Sequence, residues 1–157
     1  MEKEKFTVQL ALVDALPVLF FGIAAVVLGL KLHSLLFFIG AILCLLAGAG
    51  KVLWKLLIAL KNKDVPILGA QLRYLMPTGF LLMLLGALLS DRDQLKMLLQ
   101  AAARMPSILF FILGILGLVG MILCAKKFDR RDVRGNWIEQ IINAFAQGCV
   151  MLGVLFL

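Results

Sequence analysis

Histidine, cysteine and serine are all scarce in this sequence, and each shortage removes a class of chemistry. His33 is the only imidazole in 157 residues. A zinc, haem or quinone-type redox centre wants more histidine, or paired cysteine, than that. Cys44, Cys124 and Cys149 stand apart in apolar blocks with no C-x-x-C spacing, so they read as small core residues. Serine occurs only at Ser34, Ser90 and Ser107, each at the end of an apolar block. His33 and Ser34 are adjacent, but neighbours on a turn do not form a nucleophile and its base, and no G-x-S-x-G surrounds them. Neither a Walker loop nor G-x-G-x-x-G is present to hold a nucleotide. The residues thus give no catalytic motif, no metal set and no cofactor signature, and they reproduce the motif of no family.

What the sequence has is long apolar runs. Hydrophobic residues make up 63% of the chain, against about half in an average globular domain, and they gather in blocks at about residues 9–30, 35–54, 66–89, 107–125 and 136–157. A helix of about 20 apolar residues spans a bilayer. The expectation is an all-α polytopic membrane protein, one transmembrane domain of five helices. Met1 to Thr7 balances Lys3 and Lys5 with Glu2 and Glu4, and no A-x-A-like cleavage site follows, so the first block reads as a retained span.

Sixteen basic residues against nine acidic ones leave a net charge of +7. The charges lie between the apolar blocks, which makes them an orientation signal and not a nucleic-acid surface. Alternating spans put Lys3, Lys5, Lys51, Lys55, Lys61, Lys63, Arg73, Lys126, Lys127, Arg130, Arg131 and Arg134 on one side, 12 of the 16. Lys31, Arg92, Lys96 and Arg104 fall on the other. The positive-inside rule then predicts a cytoplasmic N-terminus and an external C-terminus in the cell membrane. The basic loop from Lys126 to Gly135 is a turn that fixes orientation, or a contact for anionic lipid or a partner.

Residues 91–105 are too polar to cross. Leu95, Leu98, Leu99, Ala102 and Met105 share one helical face, with Arg92, Lys96, Gln100 and Arg104 opposite, the pattern of a helix lying in the interface or docking a partner. Ser90 and Asp93 fit an S-x-x-D capping box at its start. A faint repeat also runs through the chain: Ser34 to Ile39 and Ser107 to Ile112 agree at five of six positions, as two duplicated hairpins plus a fifth helix would require. That duplication would align Asp14 with Arg73.

Candidate site residues come from four places. Asp14 lies in the first span beside Pro17, whose missing N–H frees the carbonyl of Val13; the carboxylate is either a proton or cation site or the partner of a basic neighbour. In the second span Gly40, Cys44, Ala47, Gly48, Lys51 and Lys55 share a face, a small-residue groove ending in two lysines. Asp64 and Pro66 are placed to start the third span, which carries Arg73 and Tyr74 one turn before Pro77. The last span puts Asn136, Glu139, Gln140, Asn143 and Gln147 within an arc of roughly 100°. Asn136 and Glu139 fit a capping box, leaving three amides deeper in the apolar region, where such groups act as interhelical glue or line a site.

Three function classes follow. One is a transporter or channel-like subunit with a polar cavity facing the cytoplasm, built as a homo-oligomer because five helices make a thin bundle. Another is a non-catalytic membrane-complex subunit or regulator docked on a partner membrane protein. A third, with least support in motif spacing, is a lipid-modifying enzyme using Glu139 or Asp14 as base.

Overall fold

In the computed structural model the described residues are 8–61, 63, 65–127 and 133–157. Lys3, Lys5, Asp64, Arg130 and Arg131 lie outside them. All regular structure among the described residues is helical: α1 Val8–Leu32, α2 Leu35–Lys61, α3 Pro66–Ala70, α4 Leu72–Leu88, α5 Arg92–Ala102, α6 Ser107–Lys127 and α7 Val133–Leu155. With α3 and α4 taken as one span, five helices are long and apolar enough to cross a membrane.

The boundaries depart from expectation in ways the chain explains. α2 continues to Lys61, about two turns past residue 54, because Lys55 to Lys61 contains no glycine or proline and consists of good helix formers. Lys51 and Lys55 are therefore in the body of the helix. The third span is divided at Gln71, whose αR backbone joins α3 to α4. Pro66 stands at the first helical positions of α3, after an N-cap, Val65, that makes no side-chain capping bond. α5 is capped by Asp91, which accepts from the Asp93 N–H at 2.9 Å, and not by Ser90, whose hydroxyl donates to the Ala87 carbonyl. α7 begins at Val133, so position 136 falls inside the helix and not at the N-cap that the Asn136–Glu139 spacing suggests.

His33 makes the tight α1–α2 turn with a left-handed backbone, φ 48°. Ser34 then serves two helices: its hydroxyl oxygen accepts from the Phe37 N–H and its proton goes to the Gly86 carbonyl of α4. Gln94 Nε2 lies 2.7 Å from His33 Nδ1 and ties α5 to the same turn.

Across the bundle the helices follow the order α4, α2, α1, α7, α6, each packed on the next. α4 and α6 are the flanks: the α3–α4 span buries 6% of its apolar window and α6 11%, against 39% for α1 and α2. α4 and α6 do not pack along one another as α1 and α2 do, so the duplicated-hairpin arrangement has no counterpart in the packing. α1 and α7 run parallel, with Phe20 against Gly148, and the other neighbours run antiparallel.

Small residues set the closest approaches. Gly40 of α2 and Gly79 of α4 meet backbone to backbone, and Ala146 of α7 nests between Gly114 and Gly117 of α6. In lipid such contacts supply the dispersion energy that the hydrophobic effect cannot. A methyl group at Gly79 would lie 2.8 Å from the Gly40 carbonyl oxygen and 2.5 Å from Cys44 Sγ, whereas one at Gly120 would find its nearest neighbour, Ile142, at 4.0 Å. Gly79→Ala is expected to destabilise by about 1–3 kcal/mol through overpacking, and Gly120→Ala to be neutral or slightly stabilising. Unfolding midpoints in detergent check the contrast, and equal effects would contradict the close α2–α4 packing.

Candidate functional site

α1 and α2 are apolar helices, yet each turns an ionised group inward at the end of the bundle where α1 begins. Asp14 is 3% exposed and Lys55 8%. Lys55 Nζ lies 2.7 Å from Asp14 Oδ2, and Lys51 Nζ lies 3.7 Å from Asp14 Oδ1. One turn of helix separates the two lysines, which lets both reach a single carboxylate across the hairpin. Removing such charges from water costs several kcal/mol per ion, and only close pairing offsets it.

Beside this cluster is a cavity of about 140 Å³. α1 lines it with Asp14, Pro17, Val18 and Phe21, and α2 with Cys44, Gly48 and Lys51. α4 contributes Leu72, Met76 and Phe80, and α7 contributes Asn143 and Gln147. The row of helices thus curls so that α4 and α7 close on one face of the α1–α2 hairpin. Phe21 and Phe80 meet edge to face there, centroids 5.9 Å apart.

Prolines loosen the helices around this space. Pro77 cannot donate to the Arg73 carbonyl, and nearby carbonyls receive side-chain donors instead: Thr78 Oγ1 donates to Tyr74 at 2.8 Å and Cys44 Sγ to Met76 at 3.7 Å. Pro17 forms part of the cavity wall, one turn from Asp14.

The sequence-derived candidates divide clearly. Asp14, Lys51, Asn143 and Gln147 come together at the cavity, and Lys55 lies behind Asp14. Glu139, half-buried and one turn before Asn143, acts electrostatically on Lys55 but does not line the cavity. Gln140 is also outside it, and its Oε1 is buried without a hydrogen-bond partner. Arg73 and Tyr74 are exposed on the outer face of α4. The expected Asp14–Arg73 pairing is replaced by pairing with Lys51 and Lys55, because α2 and not α4 packs along α1. Cys44, read as a small core residue, is buried as expected and also lines the cavity; its place on the helical face of Gly48 and Lys51 was the available sign. Phe21, Met76 and Phe80 gave no signal in so apolar a chain. Among the described residues no group of three or more histidine, cysteine or acidic side chains could hold a metal ion.

Fold and site together define a class: an all-helical protein with the build of a multi-span membrane protein and a charged cavity inside the bundle. Searches of family models, curated proteins and solved structures give no match to the chain.

Breaking a buried pair from one side strands the other charge. Asp14→Asn is expected to cost about 3–5 kcal/mol, while Asp14→Asn with Lys55→Met recovers a substantial part of that loss. Lys51→Gln should cost about 0–1 kcal/mol, because the side chain is 37% exposed and its contact is longer. Equilibrium unfolding in mixed micelles measures all three, and a double variant no more stable than Asp14→Asn would show that the two charges are not coupled.

Proposed function

We propose that the chain is a small transporter-type or channel-like membrane subunit whose cavity beside Asp14 and Lys51 receives a polar solute from the cytoplasmic side. The observation that carries this reading is the meeting of a carboxylate, an ammonium and two amides from three helices at one cavity in an otherwise apolar bundle. Intramembrane ionisable groups are costly, and where they face an internal cavity they mark solute or ion paths. The charge distribution supports a cell-membrane location with the N-terminus in the cytoplasm and basic loops against anionic lipid. Five helices make a thin bundle, so passage through the protein calls for a homo-oligomer. α5 fits an interfacial position, with its apolar face toward the bilayer.

The test is solvent access. In a variant with Cys44, Cys124 and Cys149 replaced by alanine, Asn143→Cys is expected to react with a charged, membrane-impermeant thiol reagent applied from the face where α1 begins, and not from the opposite face. Protection from both faces would remove the cavity as an entry site.

A second reading, a non-catalytic subunit held by a partner membrane protein, draws on Arg73. This arginine lies on the outward face of a span, where an adjoining protein would satisfy it better than lipid does. Native mass spectrometry from mild detergent separates the readings: a homo-oligomer favours the first, a retained second protein favours this one, and a bare monomer counts against both. A lipid-modifying activity has least support, since Asp14 is engaged by two ammonium groups and Glu139 does not line the cavity.

A further inference from the structure

We infer that the cavity selects a small monoanion with a short apolar tail, and that Lys51 is the group that recognises its charge. This rests on reading the cavity as a solute site and names the class of solute. The first argument is the local charge balance. Two ammonium groups lie within 4 Å of one carboxylate, and they share it unequally: Lys55 closes on Oδ2 at 2.7 Å, while Lys51 stands 3.7 Å from Oδ1. Lys55 and Asp14 therefore offset each other in the buried layer. Lys51 is the partner that faces the cavity, with a contact too long for a good hydrogen bond. Glu139 also acts on Lys55 and lies off the cavity, so the four groups balance in sum. Lys51 is the cation that lines the cavity, beside Asp14 and only loosely held by it, and an anion arriving there would give it a second contact.

The second argument is the chemistry of the walls. Asn143 and Gln147 line the same cavity as Lys51, and a side-chain amide can donate to anionic oxygens. Phe21, Phe80 and Met76 form an apolar wall. A charged head with a hydrocarbon tail satisfies both. The third is size: about 140 Å³ is close to the engineered cavity of about 150 Å³ that admits benzene, so a solute of roughly six to eight non-hydrogen atoms fits the space between the helices.

1-Propanesulfonate is a suitable probe because it stays ionised and does not cross lipid as a neutral acid. Methyl propyl sulfone is its neutral isostere, and propyltrimethylammonium a cation of the same non-hydrogen atom count. Binding to the purified full chain in nanodiscs, measured by saturation-transfer NMR and by the shift in unfolding temperature, is expected for the sulfonate and at least tenfold weaker for the other two. Lys51→Gln should lower sulfonate binding at least tenfold, and Lys51→Arg should retain it. The probe series and its weakening by added salt need no variant, so a Lys51→Gln chain that fails to fold leaves the test intact. Equal binding of the sulfone, preference for the ammonium ion, or no binding of any probe would each overturn the inference. Flux of the same probes in proteoliposomes separates the two proposals. Sulfonate bound without flux keeps the anion site and removes the transport reading, whereas flux of the ammonium ion keeps transport and removes the anion site.

Discussion

A carboxylate inside an apolar helical bundle has to be neutralised where it stands, and the contact between Asp14 and Lys55 meets that requirement. Its position fixes much else. Asp14 is near the start of α1 and Lys55 near the end of α2, so their contact sets the register of the hairpin as firmly as the His33 turn does at the other end. The pair also accounts for the length of α2, since a helix ending near residue 54 would leave Lys55 in a loop without the geometry to reach across. A buried ion pair is replaceable by apolar residues at little cost in stability, and in this hairpin it stands beside a second lysine at the wall of a cavity.

Around that hairpin the packing is asymmetric. α1 is covered on two sides, by α2 and by α7, while α4 and α6 each lean on one neighbour through glycine or alanine contacts. The same device serves different ends. Between α6 and α7 the small residues let the helices close directly on each other. Between α2 and α4 they keep the helices close from Gly86 against Phe37, through Gly40 and Gly79, to Gly50 against Gln71, and the cavity lies beside that seam, toward α1 and α7. Proline adds to this, since Pro77 removes one backbone bond in the same stretch of α4 whose carbonyls also accept from Thr78 and Cys44.

The sequence carried the spans and half of the site for identifiable reasons. Apolar blocks bounded by charged turns are a strong signal, which is why five spans could be read directly. Period 3.6 placed Gly40, Cys44, Gly48, Lys51 and Lys55 on one face, and that face is the one buried. What failed was pairing between helices. Asp14 has several cations at similar depth in the sequence, and only the spatial order of the helices selects Lys51 and Lys55 over Arg73. Caps also misled: Ser90 and Asn136 satisfy the spacing of a capping box, yet Asp91 is better placed at α5, and α7 has already begun three residues before position 136. The apolar wall was illegible because Phe21, Met76 and Phe80 are three among dozens of similar residues, and concavity is not a property of composition.

The parallel packing of α1 and α7 separates two events in time. The hairpin of α1 and α2 is local, so Asp14 and Lys55 can find each other as soon as both helices have formed, while most of the chain is still being made. The amide wall of the cavity arrives only with Asn143 and Gln147, about 90 residues later in synthesis. During that interval the face of α1 destined for α7 is open to lipid or to any other helix with a complementary small-residue surface. Pairing of the charges is thus local to α1 and α2, whereas the cavity is complete only when α7 has joined them.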